Sequence, residues 1–142
     1  MKKAELLAEQ ARLFSIANDL ARKHWGVDYT GTLALVNRPW RRILACFRFN
    51  NTTGLREIRM SAHENAARSE DDVIGSLLHE LVHWRLLSLG LPYNDTDYEF
   101  ISECLRVNAP LSQARSAQEA YQRFKQRQAV EERIGRKFDE AV

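Results

Sequence analysis

Residues 69–89 constrain this chain most. Val73, Ile74, Leu77, Leu78, Leu81, Val82, Trp84 and Leu89 recur at the three- and four-residue spacing of a helix and cover most of its circumference with apolar groups. Such a helix is buried, and the rest of the fold has to be built around it. Ser69-Glu70-Asp71-Asp72 predicts its start as a capping box, with Ser69 capping and Asp72 at the third helical position. Gly90 and Pro92 stop it. Charged side chains seldom enter such a helix without a task, yet His79, Glu80 and His83 stand in its middle.

The flanking segments predict an α+β protein. Residues 3–24 form an amphipathic first helix, carried by Leu6, Leu7, Leu13, Phe14, Ala17, Leu20 and Ala21 and ended by Gly26. Residues 32–36 predict a short apolar strand. Residues 41–49 predict a half-buried one, with Ile43, Ala45, Phe47 and Phe49 on one face and Arg42 and Arg48 on the other. After the turn at residues 50–54, residues 55–60 predict a third strand with Ile58 and Met60 inward. Three consecutive strands with short links favour an antiparallel sheet. Downstream, Thr96-Asp97-Tyr98-Glu99 predicts a second capping box, opening a helix that runs to about Asn108. Pro110 interrupts, and residues 112–140 predict a long charged helix anchored by Ala117, Tyr121, Phe124, Ile134 and Phe138.

A chain of 142 residues suits one domain with a real core. The expected division is a domain over 1–110 and a charged helical extension over 111–142. No apolar run approaches the roughly 20 residues of a membrane span, so no membrane association is expected. Glu5, Glu9, Arg12 and Asp19 interrupt any apolar export signal. Cys46 and Cys104 are far apart in sequence and form no CxxC pair, which excludes a disulfide framework or Cys-rich zinc ribbon and makes a reducing cytoplasm the expected setting. Charge is uneven: residues 1–68 carry a net +6, residues 69–111 a net −6 and residues 112–142 a net +2. A basic half beside an acidic one suits an anionic partner and a cation site, unless the segments mix in space and the field averages out.

His79-Glu80-Leu81-Val82-His83 is an HExxH pattern. Histidines four apart share a helix face, so both imidazoles can reach one Zn²⁺ at about 2.0–2.1 Å. Glu80 is the expected catalytic acid/base, taking a proton from zinc-bound water and delivering it to the departing amine. A hydrolytic zinc needs a third protein ligand. At 100° per residue Asp97 falls near the middle of the inward stripe formed by Phe100, Ile101, Cys104, Leu105 and Val107, and a carboxylate aimed at the core needs a partner. Asp97 is therefore the expected third ligand, with Asp95 in reserve. The alternative is that both aspartates only cap the helix.

At these residues the chain resembles the SprT-like (Spartan) family of zinc metallopeptidases. The stretch Leu77-Leu78-His79-Glu80-Leu81-Val82-His83-Trp84 carries the resemblance, followed by Gly90 and residues 93–100. It implies a zincin-like domain over about residues 4–108, with an N-terminal helix, a small sheet, the HExxH active-site helix and then C-terminal helices. It also implies that His79 and His83 are zinc ligands, that Glu80 is catalytic, and that the substrates are proteins bound or crosslinked to DNA. Many members supply a third histidine where this chain reads Asp95-Thr96-Asp97, and many carry a four-cysteine ribbon for which residues 112–142 have no cysteine.

Arg38-Pro39-Trp40-Arg41-Arg42, extended by Arg48, Arg56 and Arg59, reads in two ways. Arginine–phosphate contacts with Trp40 stacked on a base would suit single-stranded DNA. A solvated strand face with Trp40 packed inside accounts for the same residues. His63 is expected on a surface loop or at the rim of the site, and Cys46 and Cys104 as small core residues. The expected function is thus a zinc-dependent peptidase with one catalytic ion. Its rivals are a zinc-containing DNA- or protein-binding module without proteolytic activity, and a regulatory HExxH peptidase that cleaves a repressor.

Overall fold

A computed structural model describes residues 1–138. It is a mixed α+β arrangement. The long helix α1 (Lys3–Trp25) is followed by strands β1 (Thr32–Val36), β2 (Ala45–Asn50) and β3 (Leu55–Ser61). The short helix α2 (Ala62–Ala66) leads into α3 (Glu70–Ser88), α4 (Tyr98–Val107) and α5 (Arg115–Ile134). Helix α3 is the hub, as its all-round apolar sequence demands. Leu77, Leu81 and Val82 are fully buried, packed among Leu13 and Ala17 of α1, Ile58 and Met60 of β3, and Phe100 and Cys104 of α4. Ser69 caps α3 as expected, its hydroxyl accepting from the Asp72 N–H at 3.1 Å.

The sheet differs from the expected antiparallel meander. Its order is β1-β3-β2, with β2 antiparallel and β1 parallel to β3. Only the β2–β3 link is a tight turn. Residues 37–44 are long enough to hold β1 and β2 a strand's width apart, and β3 returns between them. That link is tied down by the Ser61 hydroxyl donating to the Arg38 carbonyl at 2.6 Å and by the Trp40 N–H donating to Glu64. The second strand also starts later than expected, at Ala45. Arg42 has a left-handed backbone, φ 69°, which breaks the extended run. Ala45 and Phe47 still pack on the core, but Ile43 and Leu44 are 48% and 45% exposed.

Helices α3 and α4 end in the same way. Gly90 and Asn108 take left-handed backbones, and the next N–H reaches back to a carbonyl five residues earlier, Leu91 to Leu86 and Ala109 to Cys104. Each reversal throws the following segment back across the His79–His83 face of α3. Helix α4 starts at Tyr98 with Asp97 at its N-cap, so the expected Thr96 cap is displaced by one residue. Helix α5 is shorter than the predicted 112–140 run, because Gly135 ends it; residues 139–140 of that prediction lie outside the described residues. It packs on α4 through Ile101, Ala120 and Phe124. Among the described residues, no helix is long and apolar enough to cross a membrane.

Candidate metal centre

Two turns of α3 carry His79 and His83, 9% exposed and nearly buried respectively, with their rings 5.1 Å apart. Each imidazole is fixed by a backbone carbonyl supplied by one of the helix reversals. His79 Nδ1–H donates to the Pro110 carbonyl at 2.6 Å, and His83 Nδ1–H donates to the Tyr93 carbonyl. A carbonyl only accepts, so each Nδ1 carries a proton and each Nε2 is the nitrogen left for the site. Phe100 holds the rings from below: it stacks on His83 at 4.1 Å and meets His79 edge-on at 5.1 Å.

Both Nε2 atoms converge on one oxygen. Asp95 Oδ1 lies 2.9 Å from His79 Nε2 and 3.2 Å from His83 Nε2. His79, His83 and Asp95 thus form a group able to hold a metal ion. Ligands at about 2.0–2.1 Å around a tetrahedral ion stand about 3.3 Å from each other, close to what is found. The donor chemistry agrees. Two imidazole lone pairs and a carboxylate oxygen are three acceptors, and they repel unless a cation or shared protons stand between them. With no cation, protons take that role. Burial pulls His79 down, but its hydrogen bonds to Asp95 and with Cys104 outweigh that and push His79 up to about 11. The hydrogen bonds from His79 and His83 hold Asp95 far below the ordinary carboxylate range.

Of the two candidate aspartates it is Asp95, the reserve, that stands with the histidines. Asp97 is not in the cluster. It precedes α4, so the 100° count that turned it inward does not apply, and its carboxylate accepts the Asn94 N–H at 2.9 Å. The Asp97 N–H in turn donates to the Asn94 carbonyl. Asp97 therefore closes the 94–97 turn that presents Asp95.

Glu80 is 7% exposed and faces a cavity of about 750 Å³ into which His79 and Asp95 also open. Burial pushes its carboxyl up, against the pull of the two histidines. One wall is the stretch 42–45, another is Arg68, Asp72 and Ser76, and the last is the strap 110–114 between α4 and α5. Sequence reasoning missed this strap and the two carbonyls that orient the histidines. The signals for them were Gly90 and the Asn108-Ala109-Pro110 helix stop. Of the expected nucleic-acid residues, Arg38, Arg41 and Arg42 are exposed on the 37–44 link, while Trp40 is half-buried. Arg48 and Arg59 both lie 3.6 Å from Glu57 on the sheet's outer face, and Arg56 lies over the Phe49 ring. His63 is exposed on α2, away from the cavity walls. Cys104 is buried beside His79, and Cys46 is half-buried on β2. Compared with protein-family profiles, with characterised proteins and with solved structures, the chain gave no match.

Proposed function

We propose that this chain is a zinc-dependent metallopeptidase with a zincin-like site of the SprT-like kind. One observation carries the reading: two carbonyl-anchored imidazoles and Asp95 converge their acceptor atoms beside the buried carboxyl of Glu80. A hydrolase that works with a metal-activated water needs this set and no protein nucleophile. Zinc bound there would supply a Lewis acid that polarises a carbonyl and brings the pKa of water down to about 7. The chain's own groups do the rest. Glu80, one residue from His79, takes the proton of the attacking water on its carboxylate and returns it to the leaving amine. Its burial favours the protonated form, and the proton is therefore kept for that second step.

The cavity suits an extended peptide. β2 is an edge strand, pairing only with β3 among the described residues, and its start borders the cavity at Ala45. An extended chain can add to that edge through main-chain hydrogen bonds, with exposed Ile43 and Leu44 offering apolar contact. The exposed Arg38 and Arg41 make proteins carried on DNA a substrate class to include in any assay.

The test is Glu80→Gln. The variant should fold and retain zinc while cleavage of unfolded and of DNA-bound proteins falls by at least about a hundredfold, the usual scale of general acid–base catalysis. Cleavage at the wild-type rate would remove Glu80 from the mechanism. If neither protein cleaves any substrate while zinc is retained, the binding-module reading takes its place.

A further inference from the structure

Arg68 stands where α2 gives way to α3 and lines the same cavity as His79, Glu80 and Asp95. Its guanidinium is held by three acceptors: Ser76 Oγ at 2.8 Å, Asn65 Oδ1 at 3.3 Å and the Asp72 backbone carbonyl at 3.5 Å. All three are neutral. Its Nε is buried without a partner. Several other arginines do meet carboxylates: Arg59 with Glu57, Arg106 with Glu103, Arg127 with Glu131. Arg68 makes no ion pair among the described residues, although the Asp72 side chain belongs to the same wall. Arg42 reaches the cavity from the 37–44 link, also without an ion pair among the described residues, and in a left-handed backbone that residues with a Cβ seldom adopt.

The position of Arg68 can be measured along α3. Asp72, Ser76 and Glu80 follow at intervals of four residues, about 6 Å of helix each. Being bonded to Ser76, the guanidinium sits about one turn from Glu80. An extended peptide advances about 3.3 Å per residue, so a side chain one or two residues from the bond beside Glu80 comes level with Arg68. The three neutral acceptors take three of the five guanidinium N–H groups and Nε is buried, which leaves one Nη2 hydrogen on a fixed, charged donor for a carboxylate oxygen.

We propose that Arg68, assisted by Arg42, is a specificity site for a peptide carboxylate placed one or two residues from the cleaved bond. The preferred substrates are then acidic at that position. The cleaved bond rests on the peptidase reading, but the carboxylate site itself is open to a binding test. The carboxylate is either an Asp or Glu side chain or the peptide's own C-terminus.

Zinc-loaded Glu80→Gln protein is titrated, by fluorescence anisotropy, with labelled peptides that differ at one position. The set has Asp or Asn inside the peptide, and a free or amidated C-terminus. One carboxylate form should bind about tenfold to a hundredfold more tightly than its neutral counterpart, the range for a hydrogen bond to a charged group. The internal or the terminal pair, whichever carries the preference, identifies the source. Adding Arg68→Gln should bring the preference close to one, and Arg68→Lys should restore part of it. Arg68 ties α2 to α3, so melting is recorded; if R68Q does not fold, Arg42→Gln on the exposed link takes its place and should reduce the preference. Equal binding of acidic and neutral peptides overturns the proposal. So does displacement of both by single-stranded DNA with no carboxylate preference, which would make this a phosphate site. Wild-type zinc protein is then given a mixed peptide digest. A carboxylate preference without cleavage upholds the site and sinks the peptidase reading; cleavage with no acidic residues enriched near the cuts does the reverse.

Discussion

His79 and His83 each spend one ring nitrogen on a backbone carbonyl and keep the other for the site, and this division decides what the residues can do. The contact of His79 with Asp95 gives the zinc-free protein a pH signature. His79, pushed up from 6.5 to about 11, stabilises the fold fully below pH 6.5 and loses that contribution as the pH rises towards 11. Asp95, held below its ordinary 3.8, contributes above about pH 4 and loses its share in acid. These are two sides of one contact, to be counted once, and the 44% exposure of the Asp95 side chain lets solvent weaken it. Asp95→Asn should therefore destabilise zinc-free protein most between about pH 4 and 6.5 and least near pH 11, read by urea unfolding across that range. A difference that does not vary with pH would contradict the pairing. At this scale the placing of His79, His83 and Glu80 together on α3 was legible, because spacing along one helix sets where each stands. Asp95 against Asp97 was not, because the choice turned on where α4 begins, and one residue moved Asp97 off the helix. The Tyr93 and Pro110 carbonyls were signalled only indirectly, by the helix stops at Gly90 and Asn108-Ala109-Pro110.

At the scale of elements, the site depends on how α3 and α4 stop. Gly90 takes φ 70°, and the reversal it permits carries Tyr93 to His83 and Asp95 to the cluster. A Cβ at Gly90 meets no atom within 4 Å, so Gly90→Ala isolates the backbone cost. It should lower stability by about 1 kcal/mol and loosen zinc binding, since the turn it strains presents Asp95. Chemical denaturation and a zinc competition titration check both; unchanged zinc affinity would show that the 90–97 turn does not set the ligand geometry. The helices were largely legible, since α3 announces itself by apolar periodicity and by Ser69. The sheet was legible only as three strands. Pairing sequence neighbours is a sound rule for tight links, but the 37–44 link is not one, and the left-handed Arg42 cut β2 short where the alternation of Ile43 and Ala45 ran on.

Across the whole molecule, the acidic middle segment and the basic first segment meet in one cavity. Glu80, Asp72 and Asp95 come from the first, Arg42 and Arg68 from the second. The charge asymmetry in sequence therefore survives folding as a mixed site with its two signs side by side. Helix α5 is joined to this arrangement through α4. Phe124 packs tilted against Tyr98, ring centroids 4.8 Å apart, and buried Glu131 accepts from Arg127 at 3.0 Å and from the Tyr98 hydroxyl at 3.4 Å. Tyr98 adjoins Asp97, and the 110–114 strap that ends at α5 roofs the cavity. Phe124→Ala should cost about 3 kcal/mol by loss of buried ring and leave α5 more open to proteolysis. An unchanged melting temperature would mean that α5 adds nothing to the fold. Its anchors Ala117 and Phe124 were legible in sequence; the strap was not, because residues 109–114 follow no periodic pattern.

The proposed site is one zinc ion held by His79, His83 and Asp95 together. Its most direct test is the zinc content of the purified chain after dialysis against a weak chelator, compared with His79→Ala, Asp95→Ala and Asp97→Ala. About one zinc per wild-type chain is expected, with loss in the first two variants and retention in Asp97→Ala, where affinity falls by about tenfold at most as the 94–97 turn loosens. A folded wild-type protein that keeps no zinc, or zinc retained in Asp95→Ala and lost in Asp97→Ala, would contradict it.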